Sequence, residues 1–88
     1  MKAYHVTLEG RVQGVGFRWH TRLEARALRL NGWVRNLDDG SVEVCLEGEE
    51  AAVEELLQWL CDGPSGARVD EAVVTSVPPA GFKGFEIR

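Results

Sequence analysis

An α+β sandwich of element order β-α-β-β-α-β, with a short final strand, is predicted by three observations on this 88-residue sequence. Apolar residues recur with a period of two, then of three to four, and the switch happens twice. Glycine, proline, asparagine and aspartate cluster at the switches, where turns belong. No apolar run reaches the roughly 18–20 residues that would span a bilayer, so no membrane association is expected. The length suits a single domain over residues 1–88.

The first strand is read from Tyr4, Val6 and Leu8, which alternate with His5, Thr7 and Glu9. A glycine-rich loop follows. From Trp19 the period lengthens, and Trp19, Leu23, Ala27 and Leu30 fall on one face of an amphipathic helix with arginines elsewhere. Asn31-Gly32, a pair that accepts left-handed backbone, is expected to cap that helix. Trp33 to Leu37 and Ser41 to Glu47 form a hairpin turned by Asp38-Asp39-Gly40. Gly48-Glu49-Glu50 opens a second helix, with acids in the first turn where they complement the helix dipole. Val53, Leu56, Leu57 and Leu60 supply its apolar stripe, Trp59 belongs to the core or the helix edge, and Gly63-Pro64 ends it. Arg68 to Val77 is apolar and β-branched, a strand of imperfect alternation. Pro78-Pro79-Ala80-Gly81 then turns the chain into a last short strand, Phe82 to Arg88. The order resembles the split βαβ, or ferredoxin-like, plan, in which two helices cover one face of a mainly antiparallel sheet.

Hydrophobic residues make up 44% of the chain and charged residues 27%, an ordinary balance for a globular protein. The start, Met-Lys-Ala-Tyr-His-Val, lacks the apolar region of a signal peptide, which makes a cytoplasmic location the expectation. Cys45 and Cys61 are too few for a disulfide scaffold, and neither they nor His5 and His20 have zinc-ligand spacing. Reduced thiols and no metal are expected. The net charge of −4 is unevenly spread: six arginines and one acid lie between Arg11 and Arg35, nine acids and no basic residue between Asn36 and Ala67. A basic pole beside the glycine loop attracts small anions. The helical spacing of Arg18, Arg22, Arg26 and Arg29 also fits a solvated helix face.

Gly10, Gly14 and Gly16 fall within seven positions, followed by Arg18 where the helical pattern begins. Glycine accepts the positive φ that aims successive amides at one point, and such a loop ahead of a helix N-terminus cradles an anion. Arg18 adds a planar fork of donors suited to phosphate oxygens. Strand-to-helix loops are also glycine-rich for turn reasons alone. The spacing matches neither the G-x-x-x-x-G-K-[ST] nucleotide loop nor the dinucleotide fingerprint. Spacing by itself leaves both readings open.

Longer patterns weigh more. Leu8, Gly10, Val12, Gln13, Gly14, Val15, Phe17 and Arg18 meet every specified position of a pattern that resembles the first acylphosphatase signature. Gly32-Trp33-Val34-Arg35-Asn36, then Gly40-Ser41-Val42 and a later Gly48, resemble the second. The likeness runs on through Gly63-Pro64 to Phe85-Glu86-Ile87. One departure is Leu28-Arg29-Leu30-Asn31 in place of a commoner Leu-Gly-Leu-x. The resemblance implies that the backbone of Gln13, Gly14, Val15, Gly16, Phe17 and Arg18 holds the substrate phosphate, that the Arg18 side chain pairs with its oxygens, and that Asn36 orients the attacking water. It implies hydrolysis of an acyl phosphate to carboxylate and inorganic phosphate, without cofactor or metal.

The residue types suit that reaction. The chain offers no nucleophile–base pair, and an acyl phosphate needs none, since its leaving carboxylate is a weak base. Phosphoryl transfer is governed by positioning and by charge on the equatorial oxygens. The expected partners are a small-molecule acyl phosphate and phosphate or another small anion at the loop, with no nucleic acid and the chain a monomer. Two alternatives stand beside this. One is a non-catalytic acyl- or carbamoyl-phosphate-binding module. The other is an RNA-binding β-α-β-β-α-β domain, for which Gly81-Phe82-Lys83-Gly84-Phe85 mimics the aromatic motif, though on the last strand rather than the third.

Overall fold

The computed structural model describes all residues, Met1–Arg88. Its elements are β1 (Lys2–Arg11), α1 (Phe17–Ala27), β2 (Asn31–Asn36), β3 (Val42–Gly48), α2 (Glu50–Asp62), β4 (Arg68–Ser76) and β5 (Phe85–Ile87). The sheet order is β4-β1-β3-β2-β5. All pairings are antiparallel except β2 with β5, which is parallel. No helix is long and apolar enough to cross a membrane.

One core holds the layers together. Val6, Leu8, Val34, Val42, Val44 and Leu46 of the sheet bury against Phe17 and Ala25 of α1 and Val53, Leu56 and Leu60 of α2. Both helices therefore lie on one face, as the alternation of strand side chains requires. On the sheet's other face, His5 and Arg35 both bond Glu43. Burial alone would raise the Glu43 carboxyl, but these two hydrogen bonds outweigh it and hold it below its ordinary range. The central strands β1 and β3 present no pair of aromatic rings on that face, the feature an RNA-binding sheet of this order would need.

Helix α1 departs from the sequence expectation in phase and in both ends. Its buried residues are Phe17, Thr21 and Ala25. Trp19 and Leu23 are 51% and 47% exposed, and Ala27 is exposed. A polar residue holds the centre of the buried face because Thr21 Oγ1 donates to the Phe17 carbonyl, 2.8 Å away, so its hydroxyl is satisfied within the helix. The helix ends at Ala27 rather than at Asn31-Gly32. The left-handed residue is Arg29, with φ 58°, at the position where glycine is commoner in the resembling family. Asn31 instead opens β2, where its side-chain oxygen accepts the Gly84 N–H. Gly32 is needed there for close approach, since a Cβ would lie 1.9 Å from the Cys45 carbonyl oxygen.

Smaller differences follow from long-range pairing. β1 continues past Glu9 to Arg11 through a bulge at Glu9/Gly10 against β4. β5 is shorter than the expected Phe82–Arg88, because the carboxylate of Glu47 claims the preceding loop. Glu47 is 2% exposed and accepts the N–H groups of Ala80, Gly81 and Phe82 at 2.8, 3.0 and 3.1 Å. Cys45 and Cys61 are free, half-buried on β3 and exposed on α2.

Candidate anion cleft

The turn from β1 into α1 is built by backbone that only glycine adopts at low cost. Gly14 and Gly16 have φ 76° and 75°, and Gly16 is the N-cap of α1 with no side chain bonded to the first-turn amides. That leaves amide donors of the first helical turn open to a ligand. No acid lies in that turn. Phe17 anchors the helix start: it is 2% exposed and meets Trp59 edge-on at 5.8 Å between ring centroids.

These residues meet the end of β2 in a cleft of about 220 Å³ lined by Gly14, Gly16, Phe17, Arg18 and Asn36, together with Val12, Trp19 and Ile87. Arg18 and Asn36, far apart in sequence, thus share one concavity. Arg18 is exposed and enters none of the ion pairs of the chain. Asn36 is half-buried, and its Oδ1 is shielded from solvent with no hydrogen-bond partner. A buried acceptor left unpaired is costly unless a ligand or water supplies the donor. The cleft therefore brings the guanidinium of Arg18 and the helix-start amides beside the side-chain amide of Asn36.

Gln13 and Val15 do not line the cleft. Val15 packs against the core. The Gln13 amide donates to the carbonyls of Leu37 at 2.8 Å and Ser41 at 2.9 Å, so the glycine loop is stapled to the hairpin that carries Asn36. The hairpin turn is fixed in its own right, because Ser41 N–H and Oγ both donate to Asp39 Oδ1. Those bonds hold the Asp39 carboxyl below its usual range. The side-chain role of Gln13, and the cleft positions of Val12, Trp19 and Ile87, were not legible beforehand. Each depends on contacts across the sheet or between distant segments. Trp19 left one usable signal, an aromatic directly after Arg18.

Comparisons with known proteins fit this geometry. The family model for Acylphosphatase matches residues 4–87. An acylphosphatase from Pseudomonas paraeruginosa is 55% identical over 84 residues, covering 96% of this chain and 92% of that one. The crystal structure of acylphosphatase from Bacillus subtilis superposes with a TM-score of 0.97 at 38% identity, covering 100% and 99% of the two chains. A full-length HypF structure in the phosphate- and nucleotide-bound form matches with a TM-score of 0.88 at 30% identity. There the match covers 99% of this chain but 12% of that one.

Proposed function

From the premise that the chain belongs to the acylphosphatase family and hydrolyses the carboxyl–phosphate bond of acyl phosphates, we propose which groups do the work. The backbone from Gln13 to Arg18 cradles the phosphate, the Arg18 guanidinium pairs with its oxygens, and the Asn36 side-chain amide orients the attacking water. The single observation that carries this is the cleft in which Arg18, the glycine loop and the unpaired Asn36 acceptor meet.

The chemistry follows from those groups. Amide donors and Arg18 stabilise charge on the equatorial oxygens with no rearrangement at the moment of reaction. Water, held by Asn36, adds to phosphorus as the bond to the acyl oxygen breaks. The carboxylate leaves with the electron pair. Asn36 has no useful pKa and takes no proton; the water's proton passes to a phosphoryl oxygen. No step calls for a metal, because the leaving group needs no acid and the charge is already met. The same reading takes residues 1–88 as one domain acting as a monomer.

The test is hydrolysis of benzoyl phosphate in EDTA by the wild type, Arg18→Ala and Asn36→Ala, with folding checked by circular dichroism. Turnover that survives chelation and collapses in both folded variants is the expected result. Loss on chelation would overturn the metal-free mechanism. The HypF likeness favours one second reading, a phosphate-binding module without turnover. It would be adopted if folded wild type bound inorganic phosphate and hydrolysed nothing.

A further inference from the structure

The cleft has two chemically distinct halves. Gly14, Gly16, Arg18 and Asn36 form a polar half; Val12, Phe17, Trp19 and Ile87 form an apolar one. Val12 and Phe17 are 1% and 2% exposed and present almost no surface. The accessible apolar wall is therefore Trp19 with the half-buried Ile87. Trp19 directly follows Arg18, and both side chains line the cleft although their Cα atoms are turned about 100° apart on the helix.

Trp19 is exposed yet held. The Arg22 guanidinium lies 4.6 Å from its ring centroid, a cation–π contact. Arg22 Nε is sealed from solvent without a hydrogen-bond partner, so one edge of the guanidinium is turned away from water beside the indole. The contact restrains the ring on the helix surface. It is what a preorganised binding wall requires, because a fixed ring loses little freedom when a ligand arrives.

An acyl phosphate seated with its phosphate in the polar half must extend its acyl group from the same site. We propose that Trp19, braced by Arg22 and joined by Ile87, is an acyl subsite that selects substrates with a flat, apolar acyl group over small ones. The proposal rests on the hydrolase reading, and its test separates the two.

Wild type, Trp19→Ala and Trp19→Phe are compared on benzoyl and acetyl phosphate. Binding of benzylphosphonate and methylphosphonate, which needs no turnover, is measured by calorimetry on the same proteins. Because Trp19 is about half exposed, its replacement leaves the core intact. In Trp19→Ala, kcat/KM for benzoyl phosphate falls about tenfold, about 1.4 kcal/mol, mainly through KM. Acetyl phosphate changes less than about twofold. Trp19→Phe recovers most of the loss, and wild type prefers benzylphosphonate, a preference Trp19→Ala lacks. Equal losses on both substrates, or none, overturn the subsite. A benzylphosphonate preference without any turnover keeps the subsite and removes the hydrolase; turnover without preference does the reverse.

Discussion

Both helices follow a strand through a short connection, and neither has a side chain bonded to the amides of its first turn. They answer the positive end of the helix dipole differently. α2 starts with Glu49 as N-cap and Glu50 in the first turn, so its own carboxylates supply the negative charge. α1 starts with a left-handed Gly16, has no acid in the first turn, and adds Arg18. One helix carries its own counter-charge; the other has none within its first turn. A functional end can thus be recognised by what the chain declines to place there.

That contrast can be broken in graded steps. Arg18→Ala removes the strongest anion donor and should lower kcat about a thousandfold, about 4 kcal/mol, with Asn36→Ala nearer a hundredfold; steady-state kinetics on benzoyl phosphate reads both. Gly16→Ala forces an L residue into φ 75° and should cost roughly 1–2 kcal/mol in urea denaturation. Its Cβ would lie 3.3 Å from His20 Nδ1, an exposed side chain that can give way, so the strain is in the backbone. His20→Glu would give α1 the acid that α2 has. Inorganic phosphate should then bind about fivefold more weakly by calorimetry, about 1 kcal/mol, with the fold intact. Glu50→Ala, at the helix that carries its own counter-charge, should cost about 0.5 kcal/mol in thermal unfolding and leave kcat/KM unchanged.

The order of elements was legible because each periodicity change coincides with a turn signal. The second signature brought Asn36 into view long before its neighbours in space were known. The phase of α1 departs from its apolar periodicity for a local reason: Trp19 and Leu23 are apolar but exposed, and Thr21 is polar but hides its hydroxyl on the Phe17 carbonyl. Periodicity counts letters and misses a hydrogen bond one turn back. The sheet order β4-β1-β3-β2-β5 and the Gln13 staple to Leu37 and Ser41 are long-range facts with no periodic trace. The left-handed Arg29 shows the converse: a departure from the family pattern marked a real backbone constraint that this sequence meets with a costlier residue.

The short parallel strand β5 has one more consequence. Its Ile87 walls a cleft whose one charged residue is Arg18 and whose amide side chain is Asn36, and it reaches β2 through a loop gathered by Glu47. During synthesis the donors and Asn36 leave the ribosome long before the wall that completes them. A nascent chain carries the charge of the cleft without its full enclosure. The order of synthesis therefore delivers Arg18 and Asn36 first and closes the apolar wall last.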